Sequence, residues 1–348
     1  MSLGFLKKLV PESWIRYLTE SLPLSCGGIL MFHHIAPVNR EGIQYNEHLK
    51  VSPEFLDRTL NSFRQLGFTF ISADELADLL KRRKRFSKVI ALTFDDGYKD
   101  NLTAGLPVLE QYNAPGTIYV ATGLMRNEVI PWWDILEEYL LSLPETVEFE
   151  GNIYPVRTLS EKGQAYLKIR EKIMFDSDSE IRRRLHAAGI QPEIKAASPA
   201  SGMMVSEGDF RKYADHRLIS FGSHTHSHLA CGKLDEVKFE EELRKSIQIL
   251  QSAGIKVRHF AYPYGNDLKP RKDFADILRK YQIRTGMTTC AGVFCPDSDP
   301  WFLPRLFVSE YAEGLVWKDY FWLQRRPVIE RLKQWIPSRQ HSLDADGQ

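Results

Sequence analysis

Two adjacent carboxylates, Asp95 and Asp96, stand where an apolar, β-branched run at 88–94 gives way to Gly97. Such a run, bounded by an Asp-Asp-Gly turn, predicts a buried strand that ends at the turn. Side chains alternate along a strand, but the glycine lets one carboxylate bind a cation while the other faces the same site from another angle. A divalent cation would relieve the repulsion between the two charges. The alternative is an ordinary Asp-Gly turn with two solvated acids.

Three histidines, His224, His226 and His228, follow a second apolar run at 218–223. In an extended strand His224 and His228 would lie about 13 Å apart, too far to share one ion. In a helical turn their β-carbons are about 5–6 Å apart, so we expect the chain to coil through them. His226 would then point elsewhere, toward the substrate or a supporting contact. One aspartate and two histidines leave positions open for water and substrate, as in a catalytic rather than a structural zinc site.

The elements that must position these motifs alternate between short apolar strands and helices. Strands are predicted at 28–32, 68–71, 88–94, 116–121 and 218–223, near 259 and 285, and at 302–308. Helical spacing is found at 53–66, 102–112 and 236–253, and Ser72 with Glu75 fits a capping box that opens another helix. This alternation favours parallel β/α units, whose active sites lie at the carboxyl ends of the strands. Both chemical motifs fall at such ends.

The segment Thr-Phe-Asp-Asp-Gly at 93–97, followed by His-Thr-x-x-His at 224–228, resembles the signature pair of the polysaccharide deacetylases. These are the NodB-homology, or carbohydrate esterase family 4, enzymes. Further matches lie at 29–34, 101–121, 260–265 and 303–305. The resemblance covers roughly 28–310 and implies an α/β fold, a distorted (β/α)7 barrel, which periodicity alone would not predict.

Carried onto this sequence, the resemblance implies that Asp96, His224 and His228 bind a divalent metal, with Zn2+ as the first expectation. It makes Asp95 the general base that activates the metal-bound water, and the backbone N–H of Tyr264 a donor to the oxyanion. The implied reaction is hydrolysis that removes an N-acetyl group from an amino sugar. The implied partner is an N-acetylated glycan or a lipid-linked sugar.

Two features of the family pattern differ in this chain. The arginine of an Arg-x-Pro-Tyr element is absent at 261–264, and Arg305, in Leu-Pro-Arg, is our candidate to supply that cation to the catalytic aspartate. The late Leu-x-His motif that provides the general acid is not recognisable. His33, after the first apolar run, is the candidate acid, as in the branch of the family that deacetylates exopolysaccharides. His33 and His34 alternate in direction, so only one should face the site; a strand-end histidine bonded to a loop carbonyl is the alternative for His33.

Residues from about 123 to 210 interrupt the barrel pattern and predict a helical insertion on the rim of the active-site face. The insertion is either a lid over the substrate or packing. The domain division is then an amphipathic N-terminal segment at 1–27, the barrel at 28–310, and a C-terminal helix with a polar tail at 311–348.

Composition narrows the class of protein. The balance of 46 basic and 45 acidic residues gives no electrostatic case for binding nucleic acid. Cys26, Cys231, Cys290 and Cys295 are scattered and predict thiols in a reducing compartment, not a disulfide framework. The N-terminus is a poor secretory signal and no run approaches ~20 apolar residues, which predicts a cytoplasmic protein. Basic and aromatic residues at both ends predict either surface helices packed on the barrel, the preferred interpretation, or a peripheral contact with the inner face of the membrane.

Two other functions compete with N-deacetylation. A deformylase or an O-acyl esterase acting on a lipid-linked sugar would keep the metal and change the acyl group. A catalytically silent carbohydrate-binding protein is consistent with the missing arginine and late histidine. The intact set of Asp95, Asp96, His224 and His228 argues against it, because a sugar-binding protein needs no water-activating base beside a metal.

Overall fold

The computed structural model describes residues 26–39, 41–83, 85–191, 202–265 and 271–311. The N-terminal amphipathic segment and the C-terminal helix expected from the sequence lie almost wholly outside these ranges. Their boundaries therefore stay predictions.

The strands of the described ranges are β1 Gly28–Phe32, β2 His34–Ile35, β3 Lys50–Val51, β4 Thr69–Ile71, β5 Val89–Phe94, β6 Gly116–Val120, β7 Thr146–Phe149, β8 Asn152–Pro155, β9 Ile219–Ser223, β10 His259–Ala261, β11 Thr285–Ala291 and β12 Leu303–Phe307. The α-helices are α1 Gln44–Glu47, α2 Pro53–Gln65, α3 Ala73–Arg82, α4 Leu106–Tyr112, α5 Thr122–Met125, α6 Trp132–Ser142, α7 Leu159–Ile173, α8 Asp178–Ala187, α9 Glu207–Tyr213, α10 Glu236–Ser252 and α11 Lys272–Lys280. A π-helical turn spans Asn101–Gly105, and a 3-10 turn spans Cys231–Lys233.

Seven parallel strands close into a barrel in the order β1-β12-β11-β10-β9-β6-β5. The closure is the pairing of β5 with β1, which runs in register from Gly28–Ile90 to Phe32–Phe94. Strand β4 pairs with the amino half of β5 outside this ring. The predicted distorted (β/α)7 barrel is confirmed. Because all strands of the ring are parallel, their carboxyl ends meet at one face, where the chemical motifs must lie.

Helix α3 closes the opposite, amino end of the barrel. Its N-cap Ser72 forms the predicted capping box with Glu75. Asp74 then accepts hydrogen bonds from Arg258, just before β10, and from Arg284, just before β11. Leu76 and Leu80 of α3 and Ile71 of β4 join a small apolar cluster. The barrel strands contribute Ile29, Ala91, Tyr119, Ala261 and Met287 to it. Apolar side chains therefore fill the amino end of the barrel, and the chemical motifs lie at its carboxyl face.

The insertion has its own apolar core, built from α6, α7, α8 and a two-stranded antiparallel hairpin of β7 and β8. The helices were expected from the sequence, but the hairpin was not. Its turn has positive φ at Glu150 (51°) and Gly151 (72°), the conformation that favours a tight hairpin. A surface strand pair with one buried face gives a short, weak alternation, which helical spacing on either side obscured.

Cys26 and Cys295 form a disulfide bond, so the expectation of unpaired thiols is wrong for these two residues. The bond joins the residues that flank a backbone pairing between Gly27 and Phe294. The pairing of β1 with β12 brings together residues 269 positions apart, a proximity that sequence spacing does not show. No helix in the described ranges is long and apolar enough to cross a membrane.

Candidate active site

The two aspartates stand at the carboxyl end of β5. The backbone N–H of Asp95 donates to the carbonyl of Phe32 at 2.9 Å, which continues the ladder to β1. The chain then turns, because Asp96 (φ 69°) and Gly97 (φ 87°) are both in the left-handed region. A residue other than glycine in this region costs free energy and is a feature of functional sites. The turn lets both carboxylates line one cavity, against the alternation of a continuing strand.

The histidine pair follows β9. The helical turn expected between His224 and His228 is wrong: the segment is a loop in which Thr225 (φ 63°) and His228 (φ 55°) take positive φ values. These two reversals bring the imidazole centroids of His224 and His228 to 5.1 Å. A helical turn would also bring the two side chains close, with β-carbons about 5–6 Å apart, which is why spacing alone did not distinguish the two conformations.

A buried carboxylate holds this loop from behind. Glu242 of α10, 3% exposed, accepts hydrogen bonds from the backbone N–H groups of His226 (3.1 Å) and Ser227 (2.6 Å). The Thr225 hydroxyl oxygen accepts a further bond from the His228 N–H at 3.1 Å. Charge-assisted bonds to backbone N–H groups are the stronger kind, so α10 fixes the loop without reaching into the cavity.

The middle histidine, His226, faces away from the cavity. Its Nδ1 lies 3.1 Å from the Thr122 hydroxyl and its Nε2 lies 3.3 Å from a Glu128 carboxylate oxygen. Burial lowers the pKa of His226. Of the two positions that the sequence left open, these contacts favour the supporting one over a position facing the substrate.

Asp96, His224 and His228 place three ligand atoms within 4.8 Å of one another. Asp96 Oδ1 lies 3.3 Å from His224 Nε2 and 3.1 Å from His228 Nε2, yet this buried oxygen has no hydrogen-bond partner. His224 Nδ1 lies 2.8 Å from the Ala261 carbonyl, to which it donates, so Nε2 carries the lone pair. A buried acceptor facing two imidazole nitrogens without a hydrogen bond fits a divalent cation.

The charges of the site perturb one another. Burial alone would raise the pKa of Asp96, but His228 and His224 outweigh burial and hold it well below its usual range. Burial alone would lower the pKa of His224, but Asp95 and Asp96 outweigh it and raise that pKa. Both shifts have one cause, carboxylates and imidazoles in contact where little water screens them.

Arg305 of β12 is brought to Asp95 from across the barrel closure. Its Nη1 donates to Asp95 Oδ1 at 2.7 Å and its Nη2 to Oδ2 at 2.6 Å. The guanidinium also donates to the Thr288 carbonyl at 2.7 Å and to the Thr93 hydroxyl at 3.1 Å. Burial alone would raise the pKa of Asp95, but the Arg305 charge outweighs burial, and the net shift is downward. The carboxylate is therefore ionised and held in one orientation.

His33, and not His34, lines the cavity. His33 Nδ1 is buried without a hydrogen-bond partner, and burial lowers the pKa of the imidazole. His34 turns the other way, stacks on Tyr98 with centroids 3.4 Å apart, and places Nδ1 at 2.7 Å from an Asp100 oxygen. The two side chains alternate as a strand end requires.

Tyr264 follows β10 with a positive φ of 50°. Its ring packs against His228 with centroids 5.1 Å apart. Within the described ranges, its backbone N–H meets no acceptor. A strained residue with an unused N–H beside the ligand set is suited to stabilise charge that develops on a substrate.

One cavity of about 340 Å³ is lined by the two aspartates, His33, the His224–His228 pair and Tyr264. The barrel supplies its floor, and the insertion supplies Trp132, Trp133, Tyr166 and Arg170 to its wall. Trp133 packs on His228 with centroids 5.1 Å apart, and its Nε1–H donates to the Tyr98 hydroxyl at 3.1 Å. Sequence reasoning placed the insertion on the rim but did not single out these side chains. The adjacent tryptophans at its start were the available signal.

The sequence matches the family model described as polysaccharide deacetylase over residues 82–148 and 179–288. The chain belongs to the polysaccharide deacetylase family. The family implies a carbohydrate deacetylase. Over 93 residues the chain is 30% identical to YxkH of Bacillus subtilis (strain 168), a protein provisionally named a polysaccharide deacetylase. That match covers 26% of this chain and spans only 30% of YxkH.

Solved polysaccharide deacetylases share the fold. The deacetylase PplD of Streptococcus pyogenes, solved in complex with acetate, superposes with a TM-score of 0.51 at 20% identity, over 82% of this chain and 93% of PplD. A de-N-acetylase of Aggregatibacter actinomycetemcomitans gives a TM-score of 0.53 at 14% identity, over 84% and 99% of the two chains. At these identities the likeness shows the fold alone.

Proposed function

We propose that this polysaccharide deacetylase is a metal-dependent hydrolase that removes N-acetyl groups from amino sugars, with Zn2+ as the first candidate metal. The observation that carries the proposal is the convergence of Asp96, His224 and His228 on one point, with Asp95 beside them. Aspartate and imidazole donors suit zinc, and one carboxylate with two imidazoles leaves positions open for water and substrate.

Asp96, His224 and His228 would hold the metal. When bound, a divalent cation at these donors supplies Lewis acidity that polarises the amide carbonyl and lowers the pKa of water toward about 7. The protein contributes the orientation of the donors, through the Ala261 carbonyl behind His224 and Glu242 behind the loop.

Asp95 accepts the proton of the attacking water. Arg305 keeps this carboxylate ionised and aimed, because both of its oxygens are bonded to the guanidinium. Each oxygen retains a second lone pair, so the pair does not use up the acceptor capacity of Asp95. The backbone N–H of Tyr264 donates to the carbonyl oxygen as negative charge develops on it.

His33 protonates the leaving amine. It lines the same cavity as the histidine pair, and its Nδ1 has no hydrogen-bond partner in the described part of the chain. Burial lowers the pKa of His33, so its protonated imidazole is a stronger acid than that of a solvated histidine but is populated only at lower pH. The proton that departs with the amine balances the one that Asp95 removes from water.

The cavity suits a sugar with an N-acyl group. Aromatic walls from Trp132, Trp133 and Tyr166, with a few convergent polar groups on the floor, are typical of small-ligand sites. The substrate is then an N-acetylated glycan or a lipid-linked saccharide, with one amino sugar seated over the Asp95–Asp96 turn.

Metal analysis followed by an acetate-release assay tests the proposal. The metal-loaded protein should release acetate from N-acetylated saccharides faster than it releases formate from the matched N-formylated saccharides. Asp95→Asn should keep the metal and lose turnover by about 100-fold or more, whereas His228→Ala should lose both. Lys168→Gln, at an exposed position of α7, is the control that should change neither. Faster release of formate from the N-formylated saccharides would instead identify a deformylase, and a metal-loaded protein without acyl release would identify a sugar-binding protein.

A further inference from the structure

Arg170 of α7 is a half-buried cation on the wall of the active-site cavity. The other three cations of this helix are engaged. Lys162 donates to three carbonyls, Lys168 lies 3.6 Å from Glu171, and Lys172 lies 3.4 Å from Glu150. Arg170 alone on α7 has neither a carboxylate nor a carbonyl to bind among the described residues.

The guanidinium is close to the chemistry. It lines the same cavity as Asp95 and Asp96, and its charge opposes the rise in pKa that burial causes at Tyr166. The two carboxylates of the cavity do not need it, since Asp95 is paired with Arg305 and Asp96 faces the imidazoles. The wall therefore presents a positive charge that nothing in the described chain neutralises.

Arg170 shares one face of α7 with residues that line a second cavity. Gly163, Leu167 and Arg170 are spaced i, i+4 and i+7, so they share one face of α7 over about 10 Å. Leu167 lines both the active-site cavity and a second cavity of about 390 Å³, to which Gly163 belongs. A substrate that extends from the Asp95–Asp96 turn into the second cavity would lie against Leu167, one helical turn from Arg170.

An arginine presents five N–H donors in a rigid plane, a shape that matches the paired oxygens of a carboxylate or a phosphoryl group. Burying such a cation without a partner costs free energy, and a ligand oxyanion would remove that cost. Neutral saccharides offer only hydroxyl and amide groups, which a guanidinium binds more weakly.

We propose that Arg170 binds an oxyanion substituent of the substrate, a phosphoryl or carboxylate group on or next to the amino sugar that is deacetylated. The inference rests on the proposed function and adds its substrate class, an anionic rather than a neutral N-acetylated saccharide. Arg170 acts as a specificity residue and takes no part in proton transfer.

Matched substrates test the assignment. One N-acetylated saccharide is prepared neutral, with a phosphoryl group, with an alkyl phosphodiester, and with a uronic carboxylate. The wild-type kcat/KM should be about tenfold or more higher for an anionic form than for the neutral one. The preferred anionic form tells a lipid-linked phosphodiester from a free sugar phosphate or a uronate.

Arg170→Gln should lower that anionic-to-neutral ratio by about tenfold, and Arg170→Lys should lower it less. Lys168→Gln removes the same charge from an exposed site of the same helix and should leave the ratio unchanged. An equal loss in Arg170→Gln and Lys168→Gln would mean a general field effect and would overturn the assignment. So would a wild-type enzyme that hydrolyses neutral and anionic forms equally, an outcome that leaves the proposed deacetylation intact.

Direct binding separates this inference from the reaction itself. Calorimetric titration of the same phosphorylated, phosphodiester and carboxylate saccharides needs no turnover, so it measures binding even if none of them is hydrolysed. About tenfold weaker binding of an anionic form to Arg170→Gln than to Lys168→Gln supports the oxyanion site. Equal binding of every anionic form by the two variants rejects it, whatever the acetate-release assay shows.

Discussion

Arg305 and Asp95 form a fork-shaped ion pair across the closure of the barrel, with Nη1 at 2.7 Å from Oδ1 and Nη2 at 2.6 Å from Oδ2. Arg305 is 1% exposed and Asp95 is 1% exposed, so neither charge is screened by water. The pair connects β12 with the end of β5, and these two strands lie on either side of β1 in the barrel. Breaking it therefore affects both the fold and the proposed base.

Arg305→Met should destabilise the protein by about 3–5 kcal/mol, because it leaves the buried Asp95 carboxylate without its partner. The free energy of unfolding in urea measures the effect. The double variant Asp95→Asn/Arg305→Met should recover part of the loss, because it removes the unpaired charge. A single variant within about 1 kcal/mol of wild type would show that water or another cation replaces the arginine.

Glu242→Ala should weaken metal binding by about tenfold to 100-fold although Glu242 contacts none of the proposed ligand atoms. The variant leaves the N–H groups of His226 and Ser227 without an acceptor, so the loop that carries the two histidines loosens. Competition with a chelator measures the affinity. Glu241→Ala, at an exposed neighbouring position, is the matched control. Unchanged affinity in Glu242→Ala would mean that the loop is held by the metal alone.

The pH dependence of stability should report on Asp134. Burial raises the pKa of Asp134 to about 7, and its Oδ2 is buried without a hydrogen-bond partner. In the unfolded chain the group ionises near pH 4, so the folded state binds more protons between about pH 4 and 7. Its contribution to stability is therefore lost as pH rises through this window.

Asp134→Asn removes the ionisation and should stabilise the protein more at pH 8 than at pH 5, by roughly 2 kcal/mol or more. Unfolding free energies at the two pH values measure the difference. Glu138→Gln, exposed on the same helix, should show no such trend. If the gain in stability does not grow with pH, folding does not raise the pKa of Asp134.

From the sequence, the alternation of strands and helices predicted parallel β/α units and the approach of the donor residues, and the family resemblance supplied the seven-stranded barrel. Apolar β-branched runs predict buried parallel strands, and parallel strands bring their carboxyl ends to one face, so Asp96 and His224 had to approach each other. What periodicity could not supply was the conformation after each strand. Asp96, His228 and Tyr264 all have positive φ values, which side-chain patterning does not reveal.

Contacts between distant parts of the chain were the other feature that the sequence pattern could not predict. The wall formed by Trp133 and Arg170 depends on how the insertion docks against the barrel, and this is decided by packing rather than by a local signal. Arg305 was named from a gap in the family pattern, and not from any property of its own segment. A long-range partner can be inferred only when something else indicates that it is missing.

Thiol labelling should reveal the pairing of Cys26 with Cys295. Because Cys231 and Cys290 lie outside the disulfide, alkylation of denatured protein without reductant should modify two cysteines, and reduction should raise the number to four. Mass spectrometry of the alkylated chain counts them. Reduction should also lower stability, by about 2–4 kcal/mol, since the bond ties the start of β1 to the loop after β11 and restricts the unfolded chain. Four labelled cysteines before reduction would restore the expectation of a reducing compartment, because such compartments keep thiols reduced.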